Sequence, residues 1–146
     1  MASISNPNGR LVLVAEDETV IVRGIALALA KAGFRAIVAE NGAAGLETFL
    51  TEPDAIDLVL ADVVMPVMDG ITMVQEIRTI RPDIPVLFMS AYPEKVVKNT
   101  NGPKFPLLRK PFLMGDLIHA VTEILDHGPS VADQRRDSRR DKRDDA

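Results

Sequence analysis

Four runs of five residues, "LVLVA" (Leu11–Ala15), "RAIVA" (Arg35–Ala39), "DLVLA" (Asp57–Ala61) and "PVLFM" (Pro85–Met89), are apolar on consecutive positions instead of alternating with polar ones. A strand with one wet face alternates; a continuously apolar strand is covered on both faces, as in a parallel sheet flanked by helices. Helical periodicity fills the gaps. Ile21, Ile25 and Leu29 keep to one face between Thr19 and Ala32, with Thr19 as candidate N-cap and Gly33 as the stop. "NGAAGLETFL", "GITMVQEIRTI" and "LMGDLIHAVTEIL" predict three more helices, the last with Leu117, Val121, Ile124 and Leu125 on its apolar side. Strand and helix in repeated alternation imply parallel strands joined by right-handed crossovers. A fifth strand over "FPLLRK" (Phe105–Lys110) is confined by Pro106 to an edge or a strand start. The fourth crossover is thin. Pro93, Asn99, Asn101, Gly102 and Pro103 leave space only for a short or disordered fourth helix around Glu94 to Lys98.

Nearly half of the 146 residues are hydrophobic, enough for one sizeable core. The absence of cysteine excludes disulfides and thiolate metal sites. No apolar run reaches spanning length, and "MASISNPNGR" lacks the layout of a signal peptide, so a soluble cytoplasmic protein without a membrane partner is expected. The expected organisation is an N-terminal extension over 1–9, a folded body over 10–126 and a disordered charged tail over 127–146. That tail holds six Lys/Arg against five Asp and little apolar surface; its charge of +1 leaves −5 of the chain's −4 on the body. The interleaved aspartates cancel most of the field an Arg-rich arm would need for nucleic acid.

Burying an isolated ionised carboxylate is very unfavourable unless it is paired, metal-bound or neutralised. Asp62, set among eight apolar neighbours in "LVLADVVMP", therefore needs partners from elsewhere in the chain. Ligands of open parallel sheets collect at the carboxyl ends of the strands. By that rule Glu16 and Asp17 follow the first strand, Asp62 the third, Ser90 the fourth and Lys110 the fifth. Singly, each has a plainer role: a helix cap for Glu16 or Asp17, a local backbone bond for Ser90, a solvated strand end for Lys110. Together, three carboxylates at one edge call for a cation, and hard oxygen ligands suit Mg²⁺. A phosphate at Asp62 would meet the metal on one side, the Lys110 ammonium on the other, and the Ser90 hydroxyl as a neutral donor. Such an arrangement serves a carboxylate nucleophile that accepts a phosphoryl group.

In order and spacing, "AEDE", "DVVMPVMDG", "MSAY" and "KPF" closely resemble the receiver domain of two-component response regulators, from about Leu11 to Leu125. The resemblance implies a flavodoxin-like (βα)5 α/β fold, a doubly wound five-stranded parallel sheet of order 2-1-3-4-5. It implies Asp62 as phosphoacceptor, charged from a phosphohistidine on a sensor histidine kinase or histidine phosphotransfer protein. Asp17, Asp62 and the Val64 backbone carbonyl would bind Mg²⁺, Glu16 acting through water. Lys110 would pair with the phosphoryl group and Ser90 would swing toward it as the switch, while Pro111 follows Lys110 in a peptide often cis in this family. The output would be altered contact with a downstream protein, a phosphorylation-driven homodimer being one form, and the only catalysis would be the domain's own phosphorylation and slow dephosphorylation.

Two departures from the family pattern bear on the switch. Leu107 stands where most members carry Tyr or Phe, so Tyr92, the only tyrosine in the chain, is the candidate substitute. "PVLFMSAY" is similar to PFxFATGY-type receivers at Pro85, Phe88, Ser90 and Tyr92 but not at Val86, Met89 and Ala91. The "KPF" context and thin crossover are similar to small stand-alone alphaproteobacterial receivers and to the C-terminal receivers of hybrid kinases. A single-domain regulator or phosphorelay shuttle is therefore expected. Val64 and Tyr92 occupy positions that control water access in receivers, and neither has a carboxylate or amide to orient water, so slow dephosphorylation is expected. Two other functions use similar residues. A Mg-dependent aspartyl-phosphate phosphatase of the haloacid-dehalogenase type needs a second aspartate two residues after the first, where Val64 stands. A nucleic-acid-binding regulator would act through the Arg-rich tail, which has no aromatics for stacking.

Overall fold

The computed structural model describes residues 9–91 and 105–127. The extension over 1–8, the expected fourth helix with Tyr92, and the tail from residue 128 lie outside the described residues. In chain order the elements are β1 (Leu11–Ala15), α1 (Thr19–Lys31), β2 (Arg35–Ala39), α2 (Gly42–Thr51), β3 (Leu58–Asp62), α3 (Gly70–Ile80), β4 (Val86–Ser90), β5 (Leu107–Arg109) and α4 (Met114–His127). The strands form one parallel sheet of order β2-β1-β3-β4-β5, with Ala15 opposite Ala61, and Asp62 opposite Met89. This is the expected doubly wound arrangement.

Alternation along each strand sorts the core into two layers. Leu13, Val59, Ala61, Val86 and Phe88 pack with Phe49 of α2 and with Met73, Val74 and Ile77 of α3. Val12, Val14, Leu58, Leu60, Leu87 and Met89 pack on the other face with Ile25 and Leu29 of α1 and with Leu117, Val121 and Ile124 of α4. Helices therefore cover both faces, which is why the central strands are apolar at every position.

Local signals set the ends. The N-cap of α1 is Glu18, not Thr19, and its side chain makes no capping bond. At the other end of α1, Gly33 has φ +94° and the Phe34 N–H returns to the Leu29 carbonyl at 2.9 Å, a Schellman closure. β3 starts at Leu58, and Asp57 just before it is tied to Leu11 twice, its carboxylate accepting the Leu11 N–H at 2.7 Å and its own N–H bonding the Leu11 carbonyl at 2.8 Å. β4 likewise starts one residue late, after Pro85, which has no N–H to give. Asp62 and Ser90 are thus the last residues of their strands, not the first residues after them.

The loop from β3 to α3 is held at both ends. The Asp69 side chain caps α3 by accepting the Thr72 N–H at 2.7 Å, and the Gly42 N–H of α2 bonds the Met68 carbonyl at 2.9 Å. Gly70 packs so closely under the strand end that any Cβ there would overlap the Asp62 carbonyl oxygen. Between these anchors the Met68 N–H bonds the Pro66 carbonyl at 2.7 Å around Val67, whose φ is +70°. That is a γ-turn of the strained hand, and Val67 is a β-branched residue in the left-handed region, with 83% of its surface exposed. Gly70→Ala should therefore destabilise the protein by about 1–3 kcal/mol through overpacking against backbone. Val67→Gly should do the reverse: relief of about 1–3 kcal/mol of strain exceeds the extra glycine entropy of about 0.5–1 kcal/mol, for a net gain of about 1 kcal/mol. Denaturant unfolding of both variants reads the opposite signs directly.

Candidate functional site

The alternation that sorts the core also builds the site. Glu16, Asp62 and Lys110 continue the parity of Val14, Leu60 and Leu108, so all three fall on the α1/α4 side at the carboxyl edge of the sheet. The strands bring them into contact across long sequence separations. The Lys110 Nζ donates to Glu16 Oε1 at 2.7 Å and to Asp62 Oδ2 at 2.9 Å, and it lies 3.8 Å from Glu18 Oε1. The side chains of Lys110, Glu16 and Asp62 are 12%, 0% and 8% exposed, so these are buried, charge-assisted bonds and not a surface ion pair. A solvated strand end is thereby excluded for Lys110.

The remaining carboxylate oxygens have backbone donors. The Glu18 N–H bonds Glu16 Oε2 at 3.0 Å, and the Val64 N–H approaches Asp62 Oδ1 at 3.3 Å. The strand-end backbone is tied across the sheet as well. The Glu16 N–H bonds the Ala39 carbonyl, the Val63 N–H the Met89 carbonyl, and the Lys110 N–H the Ser90 carbonyl, at 2.8–3.0 Å. Lys110–Pro111 is cis.

Burial pushes the Glu16 carboxyl above its ordinary value; the bonds from Lys110 and from the Glu18 N–H offset this only in part, and the nearby Asp62 charge adds to it. Burial also disfavours the Lys110 ammonium, yet its bonds to Glu16 and Asp62 outweigh that cost and raise its pKa above the ordinary lysine value. Lys110 therefore stays charged across neutral pH, and its contribution fades only as pH rises through that raised pKa.

Asp17 is exposed, and one oxygen from each of Glu16, Asp17 and Asp62 lies within 4.8 Å of the others. An all-oxygen donor set, open to water on the Asp17 side, fits a hard cation that keeps several waters, such as Mg²⁺, and offers nothing to a softer metal. Ser90 is fully buried at the end of β4, next to the Asp62 strand.

Leu107 is not part of this group. It is half-buried on the opposite face of β5, packed on the α2/α3 layer and paired in register with Phe88. That face carries an aromatic pair the sequence reading passed over: the Phe88 and Phe105 rings meet edge to face at 5.7 Å, with the Arg78 guanidinium 4.9 Å from the Phe105 centroid. Phe105 shares the parity of Leu107 two residues earlier, and that spacing was the available signal. Gly70 and Glu18 were also passed over as parts of the site, because their roles depend on close approach and on Lys110.

Residues 12–122 match the sequence profile of the response regulator receiver domain. The chain is 33% identical over 116 residues to the response regulator receiver protein CpdR of Brucella abortus (strain 2308), covering 78% of this chain and 95% of CpdR. It is 38% identical over 118 residues to the sensor kinase CckA of the same organism, covering 79% of this chain but only 12% of CckA. Among solved structures, a response regulator receiver protein from Sinorhizobium medicae WSM419 superposes with TM-score 0.75 at 27% identity, over 83% of this chain and 98% of that one. The receiver domain of the hybrid histidine kinase CckA gives 0.68 at 28% identity, over 79% and 98%.

The buried cation has a testable consequence. Lys110→Met strands two buried carboxylates and should cost about 3–5 kcal/mol at pH 7. Without Lys110 the Glu16 pKa rises further. A carboxyl raised in the folded state stabilises below its unfolded value and loses that contribution as pH climbs through the folded pKa, so the deficit should shrink toward pH 5. Urea titrations of both proteins at the two pH values measure it.

Proposed function

The chain belongs to the response regulator receiver domain family, and from that membership we propose that Asp62 is the phosphoacceptor of a two-component signalling system. The observation that carries this reading is the Lys110 ammonium bonded to Asp62 and Glu16 beside the exposed Asp17. The donor is a phosphohistidine on a sensor histidine kinase or a histidine phosphotransfer protein. An Asp62 oxygen attacks phosphorus, the new O–P bond forms as the P–N bond breaks, and the imidazole, protonated on its other nitrogen, leaves neutral.

Each side chain has a proposed part. Lys110, already on Asp62, takes up charge on the phosphoryl oxygens. Asp17, Asp62 and the Val64 carbonyl would hold Mg²⁺, and Glu16 would support it through water. When bound, the ion neutralises the crowded carboxylates and the incoming phosphate. Ser90 is the proposed switch donor, whose movement toward the phosphoryl group alters contacts with a downstream protein. Leu107 cannot supply an aromatic movement, so the message leaves the site by another path.

The match along 95% of CpdR supports action as a compact receiver, through protein contacts or as a relay of phosphate. A cytoplasmic setting and catalysis limited to the domain's own phosphoryl chemistry belong to the same reading. Among the described residues no helix is long and apolar enough to cross a membrane.

Incubation with a small phosphodonor and Mg²⁺ should add one phosphoryl group by intact mass to wild type and none to Asp62→Asn; no gain on wild type would refute the reading. Val64, half exposed beside Asp62, brings no group that orients water. The acyl phosphate should therefore be long-lived, and Val64→Asn should shorten its lifetime at least severalfold, followed as phosphate release.

A further inference from the structure

Glu18 is an awkward choice for its place. It occupies the N-cap of α1, where Ser, Thr, Asp and Asn are favoured, and its side chain makes no capping bond. Its side chain is 62% exposed, at the mouth of the site, and among the described residues the cation it meets is the Lys110 Nζ at 3.8 Å. Lys110 already has two shorter carboxylate contacts, from Glu16 and Asp62. Glu18 thus adds a negative charge over an edge that, among the described residues, already sets Glu16, Asp17 and Asp62 beside Lys110. The helix N-terminus favours a carboxylate in general but would be served as well by a capping Asp or Ser.

We propose that Glu18 is a specificity-determining residue that discriminates among phosphodonors by charge. It repels free, multiply charged phosphoanions, and it favours a phosphohistidine delivered on a protein surface that sets a Lys or Arg opposite it. This rests on Asp62 being the acceptor. Glu18 Oε1 lies 3.8 Å and Asp62 Oδ2 2.9 Å from the Lys110 Nζ, so these two oxygens are at most about 6.7 Å apart; a unit charge at about 7 Å in a water-like medium changes a rate by about threefold for each unit of donor charge. A doubly charged donor therefore suffers about threefold more than a singly charged one. The effect is screened by salt, because the Debye length falls from about 10 Å at 0.1 M to about 3 Å at 1 M.

The test measures phosphorylation rates at pH 7 with Mg²⁺, using acetyl phosphate as the doubly charged donor and phosphoramidate as the singly charged one. Wild type, Glu18→Gln and Glu47→Gln are compared, the last removing the same charge from an exposed position on α2. The expected result, at an ionic strength of about 0.01 M, is a rise of about twofold to threefold in the acetyl phosphate to phosphoramidate rate ratio for Glu18→Gln alone, closing at 1 M salt. Loss of a helix-dipole contact would lower thermal stability but leave that ratio unchanged. An unchanged ratio, or the same rise in Glu47→Gln, overturns the role of Glu18 and leaves Asp62 as acceptor. Failure of wild type to react with either donor overturns the acceptor reading itself, and this inference with it.

Discussion

The Lys110 ammonium, bonded to Glu16 and Asp62 and so joining the ends of β5, β1 and β3, is the interaction on which the rest of this structure depends. Two nearly buried carboxylates at one sheet edge are unfavourable by themselves. Lys110 makes them tolerable, and they in turn keep it charged. It also distinguishes the three acids chemically. Glu16 has both oxygens engaged and no exposed side-chain surface, while Asp17 lies out in water. Asp62 lies between these extremes, oriented by Lys110 and the Val64 N–H yet next to a loop that opens to solvent.

That geometry follows from strand period as much as from charge. Positions of like parity in β1, β3 and β5 bury Val14, Leu60 and Leu108 under α1 and α4; one step further on, the same parity delivers Glu16, Asp62 and Lys110. The opposite parity carries Ser90 at the edge and Leu107, Phe88 and Phe105 below it. The Glu16–Asp62–Lys110 cluster and the Ser90–Leu107 side thus belong to opposite parities of the sheet. With leucine at 107, the aromatic surface of the second face is the Phe88–Phe105 pair under Arg78.

Much of this was legible from residues alone, and the exceptions have physical causes. β1 and β2 were placed to the residue: β1 runs between the polar Arg10 and Glu16, and β2 between the Gly33 helix stop with its Phe34 closure and Glu40. β3 and β4 each shifted by one toward the carboxyl edge, so that Asp62 and Ser90 fall inside them; for β4 the cause is Pro85, which has no N–H to give. The strand ends as chemical positions were readable from topology, whereas the partner of each charge was not: Glu16 and Lys110 are 94 residues apart. The same holds for Gly70 beneath the Asp62 carbonyl and for the left-handed Val67, features of a loop whose shape is set by contacts at both ends. The strain at Val67 lies five residues from Asp62, in the segment whose Gly70 packs beneath the Asp62 carbonyl.

The central claim is that Asp62, of the three clustered acids, carries the phosphoryl group. Borohydride reduction converts an aspartyl phosphate into homoserine, so peptide mass spectrometry after phosphotransfer from a histidine-phosphorylated donor locates the acceptor residue by residue. The expected result is homoserine at position 62 and nowhere else. Reduction product at Asp17 or Glu16, or a phosphorylated protein with Asp62 intact, would contradict it.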